Sequence, residues 1–284
     1  MELRDNVKGV HHLCIPVMDM KEALGWYQEK LGFQEIQRKL VLNPYKTEAA
    51  FLRLGDLWLE LLQPSGRELV KLQNRGDGIL DHFAINAPDL EKCVAEALKK
   101  NMAFHSSTPQ GIVHYRTLGA CGVEGVNFVG PNGEVVEFCR DNSADNGKCS
   151  GLQGWAHLAL KVRSLSATKA FYGEMGFEEK GSGYLDTPDG RLYIAFLEKN
   201  GFVLEVIQMT GAGVKELESR GEGHLDHIAL EVEDIEEAYY KVRKLGFRMK
   251  DYVIRELPLL QRGIKFFTVF GPDGEKVEFS KKSA

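Results

Sequence analysis

The sequence has no Lys/Arg tract, no uninterrupted apolar run long enough to span a membrane, and no CxxC pair. Each absence excludes a class of function. Without a basic tract, and with a formal net charge of −5, the chain is a poor match for nucleic acid or an anionic membrane surface. Without an apolar span it offers no transmembrane helix. Met1 to Lys8 is polar and lacks the apolar core of a secretory signal. The cysteines, Cys14, Cys93, Cys121, Cys139 and Cys149, are odd in number. That favours reduced thiols and a cytoplasmic location over a disulfide framework.

What is present is ordinary in bulk and unusual in arrangement. Hydrophobic residues make up 43% and charged residues 27% of 284, enough for two domains with substantial cores. Within that background a set of His, Glu, His and Glu occurs twice: His12, Glu60, His82 and Glu137, then His157, Glu205, His227 and Glu278. The first three positions repeat at one offset (157−12, 205−60 and 227−82), and the fourth nearly so (278−137). Two imidazoles and two carboxylates are a ligand set for a divalent metal. For any one residue the plainer readings are a structural histidine bonding backbone, or a solvent-facing Glu on an edge strand. Recurrence of the whole set favours metal.

The repetition extends past these residues. "LWLELLQ" at Leu57 matches "FVLEVIQ" at Phe202, "RGDGILDHFAI" at Arg75 matches "RGEGHLDHIAL" at Arg220, and "FVGPNGEVVEF" at Phe128 matches "VFGPDGEKVEF" at Val269. Such self-similarity means two copies of one unit. The expected boundaries are a first domain over 1–140, a linker over 141–154 rich in Asn, Ser, Asp and Gly, and a second domain over 155–284.

Each half divides again. Alternating segments start at His12, His82, His157 and His227, and each runs into a helix N-cap candidate: Asp19, Asp89, Ser164 or Asp234. Leu13, Ile15 and Val17 share one face of the first segment, with His12 and Cys14 on the other. The apolar face suits a helix, and the face with His and a small neighbour suits a cavity. Helical spacing follows, then shorter alternating runs ended by turns such as Pro131-Asn132-Gly133. Four βαβββ modules are expected. By the same alternation His11 falls on the face opposite His12 and reads as structural. His105, His114 and Tyr115 lack counterparts in the second half and read as loop residues, and the Trp26-Tyr27 and Phe171-Tyr172 pairs as packing.

The His before "LALKV", the "FYGEMGF" helix end, the Glu of "LELLQ", the "GxGxxDHIAL" segment and the final "GPDGEKVEF" together resemble the vicinal oxygen chelate superfamily. That group includes glyoxalase I, methylmalonyl-CoA epimerase, extradiol dioxygenases and bleomycin-resistance proteins. The resemblance covers nearly the whole chain. It implies an α+β fold in which paired βαβββ modules form cup-shaped mixed sheets, giving two tandem glyoxalase-like domains. It also implies a divalent metal (Zn, Ni, Co, Mn or Fe(II)) that chelates two adjacent oxygens of a small-molecule substrate, in a monomer or homodimer. The implied chemistry is removal of an α-proton with a metal-stabilised enediolate, by a lyase or an isomerase/epimerase. Glu137 and Glu278 are the candidate proton carriers. An Fe(II) dioxygenase and a non-catalytic resistance or binding protein are the alternatives; His157, His227 and Glu278 match the two-His-one-Glu set of extradiol enzymes. Glyoxalase I commonly has Arg four residues after the first His and Asn four after the first Glu. Pro16, Lys161, Pro64 and Met209 stand there instead, which argues against glutathione. Two module pairings remain open: neighbour with neighbour, or outer with outer and inner with inner.

Overall fold

A computed structural model describes residues 2–42, 46–143, 151–188 and 190–283. Cys149 and half of the expected linker, residues 144–150, lie outside the described residues. After a short helix α1 (Leu3–Asn6), the first module comprises β1 (Val7–Pro16), α2 (Met20–Trp26, continued by a π turn over Tyr27–Leu31), β2 (Gln34–Val41), β3 (Thr47–Leu54) and β4 (Leu57–Gln63). Helix α3 (Arg67–Leu72) leads to the second: β5 (Leu80–Asn86), α4 (Leu90–Lys99), β6 (Val113–Tyr115), β7 (Val123–Val129) and β8 (Val135–Asp141). The third has β9 (Trp155–Val162), α5 (Leu165–Glu174), β10 (Glu178–Thr187), β11 (Gly190–Lys199) and β12 (Phe202–Gln208). Helix α6 (Ala212–Ser219) precedes the fourth: β13 (His227–Val232), α7 (Ile235–Lys244), β14 (Arg248–Met249), β15 (Arg255–Leu257), β16 (Ile264–Phe270) and β17 (Lys276–Lys282). The βαβββ pattern thus holds, with one strand of the fourth module broken into β14 and β15, both paired to β16.

Local chemistry sets the helix starts. The carboxylates of Asp19, Asp89 and Asp234 and the hydroxyl of Ser164 accept the backbone N–H three residues on, as their sequence positions lead one to expect. Leu13, Ile15, Leu158, Leu160, Ile228 and Leu230 are fully buried in one large core that the helices cover. Tyr27 and Tyr172 are fully buried too, and the Tyr27 hydroxyl donates to Glu134 Oε1 at 2.5 Å. The four described cysteines are free thiols.

The sheets settle the pairing of modules. One sheet runs β14-β16-β17-β13-β1-β4-β3-β2 and joins modules one and four; we call it the outer sheet. The other, inner sheet runs β10-β11-β12-β9-β5-β8-β7-β6 and joins modules two and three. Each is closed at its centre by an antiparallel pair, β1 with β13 and β5 with β9. Each sequence repeat therefore gives one module to each sheet. The physical reason lies in the first strands, whose apolar faces share the core while their edges pair across repeats.

Those central pairs are irregular where it matters. Register shifts fall between Val10 and His12, Leu80 and His82, and Ala84 and Ile85, so His11, Asp81 and Ala156 are extra residues without an opposite partner. A bulge re-aims the side chain at its own position. His11 accordingly does not sit on the far face that simple alternation gives it. Its Nδ1 is 2.7 Å from that of His12, and its ring stacks on Trp58.

Candidate metal centres

The strand pairing gathers the eight repeated residues into two quartets. In the outer cup, His12 on β1 and His227 on β13 meet Glu60 on β4 and Glu278 on β17. In the inner cup, His82 on β5 and His157 on β9 meet Glu137 on β8 and Glu205 on β12. All eight are at most 8% exposed. Inner distances are short: His82 Nε2 lies 3.3 Å from His157 Nε2, 2.8 Å from Glu137 Oε2 and 3.8 Å from Glu205 Oε2. His157 Nε2 lies 3.2 Å from Glu137 Oε2 and 3.4 Å from Glu205 Oε2. In the outer cup His12 Nε2 is 3.4 Å from Glu60 Oε2, and His227 Nε2 is 3.8 Å from Glu60 and 3.6 Å from Glu278. His12, Glu60 and His227 form one group able to hold a metal ion, and His82, Glu137 and His157 another. The two candidate proton carriers, Glu137 and Glu278, lie in different cups.

The donor chemistry fits a divalent cation. The buried Nε2 atoms of His12 and His227 have no hydrogen-bond partner, although a buried polar atom without one is costly. In the inner cup two imidazole nitrogens and two carboxylates converge, a mixed N/O set suited to first-row metals. Burial opposes charge on Glu137, but hydrogen bonds from His157 and His82 hold its carboxyl down, at about 2. Burial pushes Glu205 up, outweighing the attraction of His157 and His82, and repulsion from Glu137 adds to the rise. His82 is buried as well, yet bonds to Asp81 and Glu137 push its imidazole up to about 10.

The sequence also places a partner beside two of the candidate ligands: the Asp of each "DH" pair. His82 Nδ1 donates to Asp81 Oδ2 at 3.0 Å and His227 Nδ1 to Asp226 Oδ2 at 3.2 Å. A carboxylate on Nδ1 fixes the tautomer that turns Nε2 toward a metal. The repeated "LDH" was the available signal.

The two cups differ in what fills them. A cavity of about 560 Å³ opens onto His82, Glu137, His157 and Glu205, with Leu118, Val123, Leu185, Phe196 and Ile207 on its walls and Lys180 and Asn86 among its polar groups. Tyr115, expected in a loop, is on β6 and lines this cavity. Burial and the nearby Glu137 and Glu205 push its phenol up, so the group stays protonated. His114, beside it, pairs with Glu124 at 2.6 Å, and His105 bonds Ser107. Over the outer quartet, Phe51, Leu259 and Ile264 are buried together, with Trp58, Leu257 and Leu260 packed on them. Phe51 meets the His12 ring edge-on at 5.5 Å. Leu260 and Gln261 hold φ of 53° and 57°, and the Leu260 N–H donates to Gln37 Oε1 at 2.6 Å. Left-handed backbone at two such residues costs energy that their packing must offset.

Gly125 on β7 makes room for Glu137. A Cβ there would lie 2.0 Å from Glu137 Oε1. Gly125→Ala is expected to push that carboxylate aside and weaken metal binding at the inner quartet about tenfold or more, with the unfolding temperature of the metal-free protein nearly unchanged. Isothermal titration with Co²⁺ reads it, and unaltered affinity would refute the placement.

The Glyoxalase/Bleomycin resistance protein/Dioxygenase superfamily model matches residues 9–138 and again 154–279. The chain belongs to that superfamily. An uncharacterised protein of Bacillus subtilis, YwbC, is 32% identical over 127 residues, which is 44% of this chain and 95% of that protein. Human mitochondrial methylmalonyl-CoA epimerase is 28% identical over 100 residues, covering 34% of this chain and 56% of the epimerase. Among solved structures, glyoxalase I from Zea mays superposes with a TM-score of 0.71 at 18% identity, over 99% of this chain and 94% of that one. A putative dioxygenase from Bacillus subtilis gives 0.66 at 15% identity, over 98% and 86%. At those identities the likeness is one of fold. Among the described residues no helix is long and apolar enough to cross a membrane.

Proposed function

We propose that the protein is a divalent-metal-dependent enzyme whose reaction chamber is the inner cup, where it moves a proton next to two adjacent oxygens of a small substrate. One observation carries this: the cavity of about 560 Å³ opens onto the inner quartet, while packed side chains cover the outer one. His82, His157, Glu137 and Glu205 would hold the metal in the inner cup, as His12, His227, Glu60 and Glu278 would in the outer. A divalent cation supplies Lewis-acid stabilisation for charge that develops on the substrate oxygens when an α-proton leaves.

The chain's own residues do the rest. Glu205 and Glu137 flank the chamber floor and carry the proton between them. Glu205 is the more loosely held, at 3.4 and 3.8 Å from the imidazoles against 3.2 and 2.8 Å for Glu137. Burial that raises its affinity for a proton suits it as the base. Tyr115 stays protonated beside both carboxylates and is placed to donate to a substrate oxygen. The walls of Leu118, Val123, Phe196 and Ile207 exclude water and favour a substrate with an apolar group.

A lyase or epimerase of the glyoxalase type is the reading this supports, on 2-hydroxy ketones or acyl thioesters. Metal analysis of purified protein, combined with deuterium exchange from solvent into a panel of those compounds, tests it. Stoichiometric metal with α-exchange is the expected result. Oxygen uptake with a catechol and no exchange would establish the dioxygenase alternative, and absence of metal would leave a binding protein.

A further inference from the structure

The loops that carry "RGDG" and "RGEG" cross. Gly76 bridges Gly223, and the His224 N–H donates to Gly76 O at 2.9 Å. A Cβ on Gly78 would lie 2.8 Å from Gly223 Cα, and one on Gly223 would lie 2.6 Å from Gly78 Cα. Two bare backbones are needed for so close an approach.

The crossing sends each arginine to the other repeat. Arg220 Nη1 donates to Gly78 O at 2.8 Å and lies 3.4 Å from Asp81 Oδ1, with Nη2 on Glu216 at 2.8 Å. Arg75 Nη1 donates to Gly223 O at 2.9 Å, and its Nη2 to Glu222 at 2.9 Å and to Asp226 Oδ1 at 3.0 Å. Each aspartate also has a lysine: Lys161 lies 2.8 Å from Asp81 and Lys276 lies 3.0 Å from Asp226. The Arg75 and Arg220 side chains are 12% and 8% exposed, so these ion pairs are held in place rather than solvated.

We propose that Arg220 is a positioning residue for the inner centre and Arg75 for the outer one. Each clamps the aspartate that orients a ligating histidine of the other repeat. Asp81 has its Oδ2 on His82 and its Oδ1 toward Lys161 and Arg220, so the carboxylate cannot swing away from the imidazole. Asp226 is fixed likewise, between His227 on one oxygen and Arg75 and Lys276 on the other. Lys161, four residues after His157, thus braces a histidine of the other repeat through Asp81.

This inference rests on the metal reading above, and the test separates the two. Metal-free protein is titrated with Co²⁺ and followed by its visible absorption. Arg220 variants are made in a background with the outer ligands removed (His12→Ala, His227→Ala), and Arg75→Gln in one with the inner imidazoles removed (His82→Ala, His157→Ala). Arg220→Gln is expected to weaken inner-site Co²⁺ about 10- to 100-fold and change its absorption band, and Arg220→Lys to recover most of both. Arg75→Gln is expected to do the same to the outer site. Asp81→Asn, which keeps an acceptor for His82 but loses the charge that draws Arg220, is expected to follow Arg220→Gln and serves if that variant does not fold. Co²⁺ bound by wild type and Arg220→Gln with equal affinity and spectrum overturns the positioning role alone. No Co²⁺ on the wild-type quartets overturns the metal reading with it.

Discussion

Glu205→Gln is expected to lower proton exchange at the substrate α-carbon by about 10²- to 10⁴-fold, the range that a positioned general base contributes. Glu137→Gln is expected to lose activity as well, mainly through weaker metal, because Glu137 makes the shorter contacts to both imidazoles. Glu278→Gln is expected to exchange at the wild-type rate, since Phe51, Leu259 and Leu260 pack together across its cup. The three variants separate by their metal content and exchange rates measured side by side. Equal exchange loss in Glu278→Gln and Glu205→Gln would return the outer cup to the reaction. Full exchange in Glu205→Gln would remove Glu205 from the mechanism.

Removing metal is expected to abolish turnover and to lower the unfolding temperature, with both restored by adding back a divalent first-row ion. A ligand present at a thousand times its Kd adds about 4 kcal/mol to folding stability, so even one saturated site is a large share of a typical total. The structure supplies the reason. Without a cation the cups bury carboxylates against each other, and the Nε2 atoms of His12 and His227 go unbonded. Protons are the competitor: with the His82 imidazole pushed up to about 10, metal must displace a proton at neutral pH. The sign follows directly. Lowering pH favours the protonated imidazole and releases metal, so chelation is expected to go faster at pH 6 than at pH 8. Calorimetry with and without chelator measures the shift, and identical unfolding in both would show that no metal stabilises the fold.

Much of this was legible in the sequence because it depends on local periodicity. Alternation around His12, His82, His157 and His227 placed the imidazoles on cavity faces, and the N-caps Asp19, Asp89, Ser164 and Asp234 marked the helix starts. The pairing of modules was not legible. Strand pairing is a long-range choice, and equal spacing serves neighbour or crossed partners alike. His11 and Asp81 were misjudged or missed for one physical reason, the bulge. An extra residue in a strand breaks the alternation from which facing is inferred. The filling of the outer cup depends on Leu259 and Leu260, contributed by a loop from the far edge of the sheet, which no pattern near Glu60 announces.

The crossed pairing of modules has a consequence for assembly. A protein made of one such repeat has half of each central strand pair and half of each quartet, so it would need a second copy to complete a cup. Here both copies are on one chain, and the partner is present at an effective concentration fixed by the connecting segment rather than by dilution. A symmetric pair of identical chains must build two identical cups. Joining the repeats removes that constraint: Leu259 and Leu260 can pack across one cup while the other keeps its cavity, and a change to either one no longer alters both.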